Sequence, residues 1–302
     1  MISLLNWHNF KFILSLKLNI NGRVNIMDKK LPIAIQLYSI RDEMEKDFKG
    51  TLKKVKEMGY DGVEFAGLFG NSPSDVKAML DEIGIVAISA HVALNEILAD
   101  IPKVISDYKA IGCRYIAIPW LAEERRPGRP LYSQTVEDFK AIGEEAKKQG
   151  MTLLYHNHDF EFEKVDGEYI LDILYRDIPA DLLQTQLDTC WVNVGGENPA
   201  NYVRKYSGRA PVVHLKDFVM PGKKPARLYD LIGTDNEPQD ESDTEKFELQ
   251  PLGYGVQDVP AIVKAAVEAG TQWFVIEQDN PSMGKTPMEC MKMGIDYLKS
   301  IL

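Results

Sequence analysis

Eight short apolar runs recur along this chain, and most are separated by a helix-patterned stretch that stops at a glycine. The runs are PIAIQLYS (32–39), YDGVEFA (60–66), IVAISAH (85–91), RYIAIPW (114–120), MTLLYHNH (151–158), LLQTQLDT (182–189), APVVHLKDF (210–218) and TQWFVIEQD (271–279). Helices are expected at 46–58, 74–83, about 96–111, 134–149, near 168–175, near 198–206, 258–269 and about 286–301. Gly59, Gly84, Gly112 and Gly150 close the first four of these. A glycine there ends a helix in the left-handed conformation and turns the chain toward the next strand. The runs lack strict apolar–polar alternation, as strands buried on both faces do. Eight such units favour a closed (β/α)8 barrel over an open doubly wound sheet. The assignment is a single TIM-barrel catalytic domain at 31–302, of a length normal for that fold.

Residues 1–30 read differently. Their apolar residues are broken by Lys11 and Lys17, with no long apolar core and no small-residue cleavage site, so this is not a signal peptide. It is expected to be an extension outside the core, ending near Met27. The segment 217–256 is long, polar and rich in Pro, Gly, Asp and Glu. Loops of that length in a compact domain are usually functional or mobile.

The net charge of −10 argues against a nucleic-acid groove, which wants a basic face. Cys113, Cys190 and Cys290 are odd in number and show no C-x-x-C spacing, which suits a reduced compartment and a cytoplasmic protein. No apolar stretch is long enough to span a membrane. The expected partner is a small-molecule sugar or cyclitol, with no nucleic acid and no membrane; a homo-oligomer is left open.

Chemistry gathers at the downstream ends of the runs. His91, His156, His158 and His214 stand there, and so do Asp188 and Glu277. Parallel barrel strands bring their C-terminal ends to one mouth, where active sites lie. Imidazoles and carboxylates converging there without a metal would be costly to desolvate. A divalent-metal site is therefore expected. His156 and His158 share strand parity, so either could supply the strand-five ligand. Lys216, two residues past His214, points inward with it. Glu64 and His91 end strands two and three, and Gln36 and Tyr38 share parity at the end of strand one. Trp120 and Trp191 offer faces on which a sugar can stack. These six are the candidate substrate-binding residues. Gly253 and Gly255 in PLGYG suggest a tight loop over the substrate.

From about Pro32 to Leu302 the chain resembles the sugar phosphate isomerase/epimerase superfamily, the xylose isomerase-like barrels. The residues that carry the resemblance are IQLYSIR (35–41), GVEF (62–65), YHNHDFEF (155–162), LDT (187–189), VVHLKDF (212–218), PLGYG (251–255) and VIEQD (275–279). The resemblance implies one divalent ion (Mn, Co, Zn, Fe or Mg) held by ligands on strands five to eight. Matched by strand, these fall on His156, Asp188, His214 and Glu277. His156 departs from the Glu common at that position, and two imidazoles favour a transition metal. Trp191 stands where epimerase relatives often carry a substrate-touching His.

The function the resemblance implies is a metal-dependent sugar isomerase or epimerase, acting on a free, phosphorylated or keto-sugar through a metal-stabilised enediolate. His158, Lys216 and Glu277 are its candidate catalytic residues. A dehydratase or lyase on a keto-sugar or cyclitol is the close alternative, since the HxH and HLK patterns resemble inosose dehydratases as well as epimerases. A non-catalytic sugar-binding barrel is the alternative of another class.

Overall fold

The computed structural model describes residues 30–220 and 247–302. The expected extension at 1–26 and the middle of the polar segment lie outside these residues. Leu31–Leu302 form one compact unit. Eight parallel strands close into a barrel in chain order. They are β1 (Ile33–Gln36), β2 (Gly62–Ala66), β3 (Val86–His91), β4 (Tyr115–Ile118), β5 (Thr152–His156), β6 (Gln184–Asp188), β7 (Val212–Leu215) and β8 (Trp273–Ile276). The fold class is therefore the (β/α)8 barrel expected from the sequence.

Helix starts and stops follow local chemistry. Ser72 accepts from the Asp75 N–H ahead of Pro73, and Gly84 ends that helix with φ +73°. Thr286 and Glu289 form a reciprocal capping box at the head of the last helix. The helix expected at about 96–111 is broken in two, Leu94–Ala99 and Ile101–Ile111, and the one expected at 46–58 runs Phe48–Met58 behind a separate short helix, Arg41–Lys46. Asp47 and Asp100 stand at the breaks with non-helical backbone, and their carboxylates accept from Gly50 N–H and Lys103 N–H. An internal Asp that caps a new helix overrides the continuous apolar periodicity around it. The first strand is also shorter than expected: the chain leaves it after Gln36 for a 3-10 turn at Leu37–Ile40. No expected helix covers the short helix Thr189–Val194, which Asp188 caps. Within the polar segment, Asp217–Val219 and Glu248–Gln250 pair as an antiparallel ribbon.

Strand alternation sorts side chains into two cores. Ile33, Ile35, Val63, Phe65, Leu153, Tyr155, Leu187, Val213, Leu215, Phe274 and Ile276 face the surrounding helices and join one large cluster. The alternate residues Ala34, Ile88, Tyr115, Ala117, Leu154, Val212 and Val275 fill the barrel interior. That apolar layer is the floor on which the polar residues of the mouth stand. Among the described residues, no helix is long and apolar enough to cross a membrane. All three cysteines are buried and unpaired.

Candidate active site

Two residues along the interior parity from the floor, the strands turn polar. Gln36 follows Ala34, His156 follows Leu154, His214 follows Val212 and Glu277 follows Val275. Pairing sets them side by side: Asp188 lies opposite His214, and His156 opposite Gln186. The ligand atoms of His156, Asp188, His214 and Glu277 all fall within 4.8 Å of one another. His158 is not in that group. His91, His156 and His214 make a second, overlapping one.

Above this cluster opens a cavity of about 320 Å3, lined by Tyr38, Arg41, Ala66, His91, Pro119, His156, His158, Lys216, Glu277, Asp279 and Asn280. Its size suits a monosaccharide or cyclitol, at the small end of ligand pockets. Tyr38 and His91 line it as expected. Four expected substrate-binding residues do not. Gln36 and Glu64 are fully buried register partners, hydrogen-bonded to each other at 2.7 Å, and Glu64 stands two residues below Ala66, where β2 meets the cavity. Trp191 is fully buried behind the wall, its ring 5.9 Å from the His158 ring and 5.5 Å from Lys216 Nζ. It gives Lys216 a cation–π partner rather than a face for sugar. Trp120 lines a neighbouring cavity, turned there by the loop after β4. Gly253 and Gly255 also serve another purpose. Their N–H groups, with that of Gln257, converge on the Asp217 carboxylate at 3.0–3.1 Å. A Cβ on Gly255 would sit 2.1 Å from Asp217 Oδ1, so close backbone approach explains the glycine.

Lys216 is the centre of charge at the rim. It is 2% exposed, with Nζ 3.1 Å from Asp279, 3.2 Å from Glu277 and 3.4 Å from Asp188. Burial works against its charge, but these three carboxylates outweigh burial and hold it well above the usual lysine range. Glu277 is held well below the usual carboxylate range, since Lys216 and His214 overcome its burial. Burial and the Glu277 charge push Asp279 up to about 6 against the pull of Lys216. Burial, then Lys216, drives His158 well below the usual imidazole range. Burial likewise lowers His156 and raises Asp188. Beside His158, the carboxyl of Glu161 is 1% exposed and accepts from His158 N–H at 2.7 Å and from the Tyr155 hydroxyl. Burial raises it to about 8.

Two observations test whether a metal fits. Asp188 Oδ2 and His214 Nε2 are buried and make no hydrogen bond, although Lys216 Nζ and Glu64 Oε1 stand within 3.4 and 2.8 Å of them. The site gathers four carboxylates, Glu64, Asp188, Glu277 and Asp279, and one ammonium, Lys216, which faces the last three. Without a metal, His214 supplies the missing charge: burial opposes it, but Glu64 and Glu277 hold its imidazolium to about 10. A divalent ion meets the same need with the donors such ions take. Ligands about 2.0–2.3 Å from one ion stand at most about 4.6 Å apart, so the spread of the set needs little adjustment. The residues fit a divalent metal.

Sequence reasoning missed Asp279 and Gln186, and left Arg41 as readily at the surface as in the pocket. Asp279 shares parity with Glu277, and Gln186 with Asp188, so the rule that found their neighbours would have found them. Arg41 sits past the strand, where parity says nothing. Its guanidinium lies 4.3 Å from the Tyr38 ring centre and donates to the Asp279 carbonyl at 2.7 Å.

Known proteins show the same architecture. The family profile described as xylose isomerase-like TIM barrel matches residues 52–301. An inosose dehydratase of Geobacillus kaustophilus is 24% identical over 190 residues, which span 55% of this chain and 60% of that protein. A sugar phosphate isomerase/epimerase from Parabacteroides distasonis has a similar structure, with a TM-score of 0.72 and 21% identity over 92% of this chain and 96% of its own. The IolI protein with a bound zinc atom aligns with a TM-score of 0.65 at 15% identity, over 90% of this chain and 98% of its own. At these identities the structural matches speak for the fold.

Proposed function

Because the chain belongs to the xylose isomerase-like TIM-barrel family, we propose that it is a divalent-metal-dependent enzyme that moves a proton next to the carbonyl of a sugar or cyclitol, as an isomerase or epimerase. The observation that carries this reading is the convergence of His156, Asp188, His214 and Glu277 directly under a cavity of monosaccharide size. When bound, a divalent ion there polarises a carbonyl and stabilises the charge that develops when a neighbouring C–H ionises.

The chain's own groups do the rest. Lys216 and His158 line the cavity beside the cluster. Lys216 carries donors only, so it is the acid, aimed by Asp279 at 3.1 Å. His158 is the base, its ring stacked against Phe160 with centroids 5.6 Å apart. One group takes the proton from carbon and the other returns one to the same or the adjacent carbon. Tyr38, Arg41 and Asn280 form the outer wall and orient the hydroxyls. Glu277, which faces both Lys216 and His214, serves as ligand and as partner to the acid.

A second reading draws on the inosose dehydratase relatives. The same proton abstraction becomes a dehydration if Lys216 protonates a β-hydroxyl, which leaves as water. The deciding experiment combines metal analysis of the purified protein with incubation in D2O with inososes and ketohexoses. One metal per chain and deuterium entering carbon without loss of water support the isomerase or epimerase. Loss of water selects the dehydratase. A metal-free protein that exchanges no proton on any of them would return it to the sugar-binding barrel.

A further inference from the structure

We propose that Glu64 and Gln186, neither of which reaches the cavity, set the tautomers of both candidate metal histidines, so that one carboxylate on β2 aims His214 Nδ1 directly, and His156 Nε2 through the Gln186 amide, at the ion. This rests on the metal reading above and deepens it, by assigning residues that position ligands without touching metal or substrate.

The argument runs outward from Glu64, which is fully buried. Its Oε1 accepts from Gln36 Nε2 at 2.7 Å, and its Oε2 from Ser89 Oγ and from Gln186 Nε2 at 2.5 Å. The Gln36 amide cannot be turned round, because its own oxygen accepts from Tyr38 N–H at 3.0 Å. A carboxylate so surrounded is acceptor only. The Gln186 NH2 must therefore face Glu64, and the Gln186 oxygen must face away from it. That oxygen meets His91 Nε2 at 2.6 Å and His156 Nδ1 at 3.1 Å. A carbonyl oxygen only accepts, so both ring nitrogens carry protons. His156 is left with its lone pair on Nε2, the atom 3.7 Å from Asp188 Oδ2.

His214 is set the opposite way. Its Nε2 lies 2.8 Å from Glu64 Oε1, without the alignment of a full hydrogen bond. Both ring nitrogens face a carboxylate, and Nδ1 makes the full hydrogen bond, to Glu277 Oε2; because Glu277 is itself a candidate ligand, a bound ion would displace the Nδ1 proton and leave the Nε2 proton toward Glu64. Nδ1 stands 2.8 Å from Glu277 Oε2. The two histidines thus ligate through different nitrogens, and His91, whose Nε2 is committed to Gln186, is not a ligand through that atom. Second-shell acceptors of this kind fix ring orientation and raise ligand basicity.

The test is long-range 15N–1H spectroscopy of the histidine rings, together with zinc titration of the wild type, Gln186→Leu and, as a control, Ser89→Ala. In the metal-free wild type His156 should show its proton on Nδ1. With zinc bound, His156 should keep that proton and His214 should carry its own on Nε2. Gln186→Leu should bind zinc about 10–100-fold more weakly, with an unchanged circular dichroism spectrum, and Ser89→Ala within a few-fold of wild type. A proton on His156 Nε2 in the wild type, or wild-type zinc affinity in a folded Gln186→Leu protein, would overturn the proposal. A wild type that takes up no zinc would instead sink the metal reading, and the metal-free spectrum would still decide the tautomer. If Gln186→Leu does not fold, the wild-type spectra alone decide it.

Discussion

Ala34, Leu154, Val212 and Val275 fill the floor of the barrel, and two residues further along the same strands stand Gln36, His156, His214 and Glu277. Two steps along a strand are about 6.6 Å. Over that distance the interior passes from hydrocarbon to a cluster of imidazole, amide and carboxylate. All eight residues are at most 6% exposed, so burial does not separate the layers. Their energetics do. The floor gains stability for each apolar area removed from water. The upper layer gives some of it back, because buried charges are costly even when paired. The fold places reactive groups where the strands end, above a floor that holds their backbones still.

The comparison breaks if the layers do not separate activity from stability. The largest effect is expected from Asp188→Asn. Its Oδ1 still accepts from Cys190 and Trp191 N–H, as the Asp does at 2.8 and 3.2 Å, so the helix cap survives. The carboxylate charge is lost, and metal content should fall from one per chain toward zero, with turnover falling below detection and the melting temperature unchanged or raised. Elemental analysis and calorimetry check this. Next come His158→Ala and Lys216→Met, each expected to lower turnover by about 10²–10⁴ while metal content stays near one per chain. Metal loss in the His158 variant would make it a ligand.

The floor should respond in reverse. Leu154→Ala removes a fully buried side chain, and a loss of about 2–5 kcal/mol in denaturant unfolding is expected, with turnover of the folded fraction kept. Loss of metal binding without loss of stability would erase the distinction between layers. The smallest effect concerns Glu161, raised by burial to about 8. An unfolded Glu titrates near about 4.3. Between these values the folded state holds the extra proton, so this group makes stability fall as pH rises from about 4.3 to about 8. The slope is at most about 1.4 kcal/mol per pH unit. Glu161→Gln mimics the protonated acid, accepting from His158 N–H and donating to Tyr155. The melting temperature of that variant should vary less between pH 5 and 8 than that of the wild type. Equal slopes would mean Glu161 stays ionised.

Much of this protein was written locally. The eight strand–helix units, the glycine stops and the histidines at run ends need only propensity, periodicity and the rule that parallel strand ends meet at one mouth. Those signals reach a few residues along the chain, and they led to the barrel and to four residues whose ligand atoms lie together. Where a local signal competed with another, periodicity lost: Asp100 begins a new helix inside an apparently continuous one. Depth within the barrel was not local at all. Glu64 and His91 were both expected at strand ends, yet Glu64 lies two residues short of the end of β2, level with Ser89 and sealed from the cavity, while His91 ends β3 opposite Ala66 and lines it. Trp191 and Trp120 likewise parted, one behind the wall and one into a neighbouring cavity. Local patterning sets which residue types stand at the mouth and on which face of each strand. Tertiary structure alone decided which of them touch, since height and register depend on how eight strands stagger around a closed ring, and no segment carries that information by itself.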